Sequence, residues 1–131
     1  MSEVNSYQDL LVWQQGMDLA AEVYTFTRSW PKDELYGLTQ QARRASVSVP
    51  ANIAEGHSRG TRKDYANFIS IARGSLAETE TILLLLVDVE LLRDEQVRAV
   101  LELSSETGRM LNALLGRLRS NPDPGPLKPD P

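Results

Sequence analysis

The residues of this sequence whose types and spacing come nearest to chemistry lie in Gly56-His57-Ser58-Arg59-Gly60-Thr61-Arg62-Lys63. Two glycines mark a turn, and Thr61, Arg62 and Lys63 open what reads as a helix, so backbone N–H groups and basic side chains could converge on an anion. The segment lacks the Gly-Lys-Ser/Thr ending of a nucleotide-hydrolysing loop, and no strand pattern precedes it. Two readings stand: a capped helix–helix turn with solvated cations, or a contact to phosphate. His57 is the only histidine and there is no cysteine, which removes a histidine-based triad, a thiolate metal site, a disulfide framework and a thiol nucleophile. Glu78 and Glu80 are two apart and point to different sides of a helix, and no Glu-x-x-His pair of the di-iron bundle kind exists. Both acids read as surface residues. Ser46 and Ser48 stand near Arg43 and Arg44 without a base, so they read as small residues at a helix contact, not as nucleophiles. Glu55 falls near the negative end of a helix dipole, which an ion pair with Arg59 or Arg62 would offset. No catalytic set, metal or cofactor is expected, and the chain does not read as an enzyme.

The elements that must position these residues are helical. Five of the 7 prolines lie in the last ten of 131 residues, so the body of the chain has few helix breakers. A first helix is expected over about 9–28, capped by Ser6 or Asp9 and stopped at Trp30-Pro31, with Leu10, Trp13, Met17, Ala20 and Tyr24 inside and Leu11, Val12, Leu19, Val23 and Phe26 as a second flank. A second should begin at 32–35 and run, kinked at Pro50, to a stop at Gly56, with Leu38, Ala42, Ala45, Val49 and Ile53 inward. Thr61 caps a third, whose stretch 82–87 is apolar all round and therefore either central in the fold or covered by a partner chain. Asp94 caps a fourth, which ends at Arg119-Ser120. The expected fold class is all-α, an antiparallel up-down-up-down four-helix bundle over 9–119, with an N-terminal arm at 1–8 and a disordered Pro-rich tail at 120–131.

Net charge is −4, yet its distribution is uneven. Between residues 40 and 75 the cations Arg43, Arg44, Arg59, Arg62, Lys63 and Arg73 face only Glu55 and Asp64, a local net charge of +4. These six are the candidates for nucleic-acid or anion binding. The longest apolar run, 82–87, is far shorter than the ~20 residues of a membrane span, and the start of the chain shows no leader pattern. A cytoplasmic protein without a membrane partner is expected.

Four stretches carry a resemblance: Tyr7-Gln8-Asp9-Leu10-Leu11-Val12-Trp13-Gln14, Pro31-Lys32-Asp33-Glu34-Leu35-Tyr36-Gly37-Leu38, Gln41-Ala42-Arg43-Arg44-Ala45-Ser46-Val47-Ser48-Val49-Pro50-Ala51-Asn52-Ile53-Ala54-Glu55-Gly56, and Gly74-Ser75-Leu76-Ala77-Glu78-Thr79-Glu80. Together they resemble the four helix bundle protein family, which includes proteins encoded in intervening sequences of 23S ribosomal RNA genes and is related to the accessory variability determinant of diversity-generating retroelements. The resemblance implies a bundle with a proline-kinked second helix, and assembly into closed five-fold rings. With Ile82, Leu84, Leu85 and Val89 as candidate interface residues, a homo-oligomer, a pentamer by resemblance, is expected. Its expected role is non-enzymatic: an accessory or scaffold protein associated with RNA or DNA, or else a protein–protein interaction module, for example beside a reverse transcriptase, that ignores nucleic acid.

Overall fold

A short 3-10 turn, Tyr7–Asp9, precedes the first helix because Ser6 and Asp9 satisfy each other's backbone: Ser6 Oγ accepts from Gln8 N–H at 3.2 Å, and Asp9 Oδ2 accepts from Asn5 and Ser6 N–H at 2.9 and 3.3 Å. The helix α1 (Leu11–Thr27) follows, then a 3-10 turn at Lys32–Glu34 and a π turn at Leu35–Thr39, then α2 (Gln40–Ser58), α3 (Arg62–Asp88) and α4 (Asp94–Ser120). This computed structural model describes residues 5–120, except for the side chains of 34–36. The first four residues and the proline-rich tail beyond Ser120 lie outside the described residues.

Consecutive helices pack side by side and α1 closes on α4, which makes the antiparallel four-helix bundle. Its core runs the length of the molecule through Leu19, Val23, Val49, Ile53, Tyr65, Ile69, Leu83, Leu111 and Leu114. Burying such side chains contributes about 1.5–3 kcal/mol each against chain entropy.

The inner face of α1 differs from the expected one. Met17 and Tyr24 are 45% and 44% exposed, whereas Val12, Gly16, Leu19, Ala20, Val23 and Thr27 are buried. The reason is the crossing with α2. Gly16 lies against Pro50, where a β-carbon on Gly16 would sit 3.4 Å from the proline Cβ and N. The stripe through Gly16 can approach most closely, and the bulkier Met17 and Tyr24 turn outward.

The second helix begins later than expected, at Gln40, because Gly37, inside the π turn, takes a non-helical backbone (φ −106°, ψ −113°) that breaks the helix there. It continues through Pro50 to Ser58, so Gly56 is an internal residue and not the stop. Gly56 is buried where α2 meets α3, and Gly60 (φ +91°) supplies the left-handed turn instead. Around it the stretch from Ala42 to Gly56 builds packing: Ala42, Ala45, Ser46, Val49, Pro50, Ile53 and Gly56 are buried. Ser48 shares a hydrogen bond of 2.8 Å with Ser75 of α3, while Asn52 Nδ2 donates to Ser48 O and Oγ at 2.7 and 2.8 Å.

Thr61 caps α3 as expected, its Oγ1 accepting from Asp64 N–H at 3.2 Å. The stretch 82–87 divides in two: Ile82, Leu83 and Leu86 enter the core, while Leu84 and Leu85 are 50% and 44% exposed. At the start of α4 the capping bond comes from Gln96, whose Oε1 accepts from Arg93 N–H at 2.8 Å, and Asp94 occupies the first turn, where the dipole favours it.

Candidate nucleic-acid interface

The turn between α2 and α3 is shorter than the glycine pattern suggests. Gly56, His57 and Ser58 form the last turn of α2, so only residues 59–61 connect the helices, and Thr61 already holds the N–H of Asp64. No phosphate-cradling loop forms. What the turn provides is a basic end of the bundle.

Three of the six candidate cations come together there. Arg59 is held along the α2–α3 seam: its Nε donates to Glu55 Oε2 at 2.9 Å, and its guanidinium lies 5.0 Å from the Phe68 ring centroid. This is the ion pair expected for Glu55. Arg62 is half-buried and Lys63 exposed, and neither has an ion pair or hydrogen bond with another described residue. The antiparallel order of the helices brings the last turn of α4, with Arg117 and Arg119, to the same end. Arg117 also lines an apolar cavity of about 210 Å³ with Leu11, Val12, Met110, Ala113 and Leu114. Neither Arg117 nor Arg119 is among the six cations that the sequence singles out. Knowing which helix ends share a side of the bundle would have found them.

The remaining candidates are elsewhere. Arg43 ties α2 to α1, its Nε donating to Thr27 Oγ1 at 2.8 Å and its guanidinium lying 4.9 Å from the Tyr24 ring centroid. Arg44 is exposed beside it. Arg73 is eleven residues beyond Arg62, about 16 Å along α3. The +4 of the sequence is thus divided among an end, a flank and the middle of α3. Of the candidate interface residues, Ile82 is 5% exposed and belongs to the bundle's own core, which corrects its place among them. Leu84, Leu85 and Val89 are exposed, joined by Leu91, at the opposite end of α3 from the basic residues.

His57 stacks edge-on against Tyr65 (5.6 Å between centroids, 82°), and burial lowers its pKa below the ordinary imidazole range. Burial pushes the Tyr65 phenol far up, with the Arg117 charge opposing it, and the phenol oxygen has no hydrogen-bond partner among the described residues. The described residues contain no group of three or more His, Cys, Asp or Glu side chains that could hold a metal ion, and none of their helices is long and apolar enough to cross a membrane.

Comparison with known proteins agrees with the four-helix fold. A search of curated proteins returns no match. A solved structure from Bacteroides thetaiotaomicron VPI-5482, described as a protein with unknown function from the S23 ribosomal protein family, is similar at 26% identity. The TM-score is 0.71, covering 80% of this chain and 98% of that one. The family model for 23S rRNA-intervening sequence protein matches residues 8–113, from the capping turn to the last third of α4. The chain therefore belongs to the 23S rRNA-intervening sequence protein family.

Proposed function

We propose that this chain works in the cytoplasm as a non-enzymatic, homo-oligomeric bundle that associates with RNA through its basic end. The observation that carries the reading is the convergence of Arg62, Lys63 and the last turn of α4, with Arg119, on one end of a protein that is acidic as a whole. Exposed cations without carboxylate partners attract phosphates and release counterions, and symmetric assembly would multiply the effect.

Electrophoretic titration of the full chain with structured RNA at two salt concentrations tests the reading. Binding at low salt should weaken steeply with salt, and Arg62→Ala, Lys63→Ala and Arg119→Ala together should lower the logarithmic salt slope by about 2. Absence of binding at low salt would overturn it. Oligomerisation has its own test: Leu84→Glu with Leu85→Glu should convert an assembly to monomers in sedimentation, without unfolding, since both side chains are exposed.

A second reading has its own support. Leu84, Leu85, Val89 and Leu91 form an exposed apolar group at the far end of α3, about 40 Å from the basic end. A protein-interaction module would use that end alone, and RNA would be ignored at every salt concentration.

A further inference from the structure

The seam between α3 and α4 opens into a groove of about 330 Å³ with both polar and apolar walls, within the range of small-ligand sites (roughly 300–1,000 Å³). Gly108 of α4 faces Leu76 of α3 in the middle of the groove. A β-carbon there would come 3.3 Å from Leu76 Cδ2. Its charged residues are sorted along its length. Arg73 from α3 and Arg109 from α4 line one end together with Asn112. Glu80 lines the other, where its Oε2 accepts a hydrogen bond from Ser104 Oγ at 2.6 Å.

At the cationic end, Arg109 donates to the Ser105 hydroxyl at 3.2 Å, and Arg73 has no partner among the described residues. No carboxylate of the described residues is paired with either guanidinium. Arg73 and Arg109 are exposed on the two walls of the groove, and their planar forks suit an oxygen-rich anion. A carboxylate offers two oxygens and matches one fork. A phosphoryl group offers three terminal oxygens and two charges, which matches both. Glu80, about 10 Å further along α3, is a full negative charge with lone pairs to spare after the Ser104 bond. It repels a second anion and accepts from hydroxyl groups. The required ligand is therefore anionic at one end and hydroxyl-bearing at the other.

We propose that the α3–α4 groove binds a ribose phosphate unit, with Arg73, Arg109 and Asn112 on the phosphoryl group and Glu80 accepting from the sugar hydroxyls. A free ribonucleotide and a unit within an RNA strand present the same chemistry. The site is separate from the basic end and stands without it.

The test is a nuclear magnetic resonance titration of the full chain with AMP, inorganic phosphate and a short oligoribonucleotide. AMP should shift the signals of Arg73, Arg109 and Asn112 saturably, and more tightly than inorganic phosphate does. Arg73→Gln with Arg109→Gln should weaken AMP by at least about tenfold, while Arg62→Ala with Lys63→Ala should leave it unchanged. Glu80→Gln keeps a partner for Ser104 but removes the charge, so inorganic phosphate should bind better and the advantage of AMP over it should shrink. Tighter binding of the oligoribonucleotide at these signals identifies the strand as the source, and tighter AMP identifies the free nucleotide. Both support the site. Shifts that do not saturate, that survive Arg73→Gln with Arg109→Gln, or that vanish with Arg62→Ala and Lys63→Ala would overturn it, as would equal affinity for AMP and inorganic phosphate. Because the basic-end variant is tested separately, failure in the groove leaves the RNA reading of that end intact, and the reverse also holds.

Discussion

The two seams of α3 are both lined with small residues, yet one is shut and the other open. Against α2, Gly56 meets Tyr65 and Phe68, while Ser48 and Ser75 bond directly. Against α4, Gly108 and Ser104 face Leu76 and Glu80, and the space between them stays a groove. Small residues permit close approach, but what stands opposite decides whether it happens. Where aromatic rings and hydroxyls fill the gap, dispersion and hydrogen bonding pull the helices together. Where Arg73, Glu80 and Arg109 border it, their charged ends stay hydrated and keep the walls apart.

The comparison predicts opposite outcomes for the same substitution in the two seams. Gly56→Ala should have the largest effect, a loss of about 1–3 kcal/mol, because the new β-carbon would lie 2.7 Å from Phe68 Cβ and 3.2 Å from Tyr65 Cδ1, neither of them the end of a flexible chain. An unchanged urea midpoint would show that the shut seam is looser than described.

A smaller effect follows from His57 at the end of that seam. Its folded-state pKa is lowered from 6.5, so the unfolded chain takes up the proton first as the pH falls. Stability should decline below about pH 6.5 and level off once the folded-state pKa is passed, with a slope no steeper than about 1.4 kcal/mol per pH unit. His57→Gln should remove that component of a stability–pH profile, and an unaltered profile would separate the histidine from the seam.

In the open seam, Ser104→Ala removes a buried donor to a carboxylate that is only half-buried, and should cost about 1 kcal/mol. Gly108→Ala should have the smallest effect and the other sign, a gain of about 0.5 kcal/mol from helix propensity, because only the movable end of Leu76 stands in its way. If thermal unfolding shows instead that it destabilises as strongly as Gly56→Ala, the seams are alike and the comparison fails.

Much of the fold could be read without coordinates. The cap at Thr61, the four helices, the passage through Pro50 and the Glu55–Arg59 pair all depend on residues within a few positions of each other, whereas Ser6 and Asp9 cap the 3-10 turn and not α1, whose N-cap Leu10 has no side-chain bond. The errors share a cause. Met17 and Tyr24 were placed inside because they are apolar at helical spacing, but the contact at Gly16 and Pro50 set the rotation of α1. Gly56 reads as a stop because glycines end helices, and its actual neighbours, Tyr65 and Phe68, are nine and twelve residues away in sequence. Ile82 read as an interface residue within an apolar run, and the bundle took it for its own core.

By itself the sequence determined the four helices, the cap at Thr61, the family and the surplus of cations between residues 40 and 75. These follow from local propensity, capping and composition, which need no knowledge of what packs against what. Only the tertiary structure decided which cations share a surface. It gathered Arg59, Arg62 and Lys63 with the end of α4, tied Arg43 to Thr27 and set Arg73 opposite Arg109. Helix rotation and antiparallel register fix those meetings, and both are set by side chains in contact across seams that are distant along the chain.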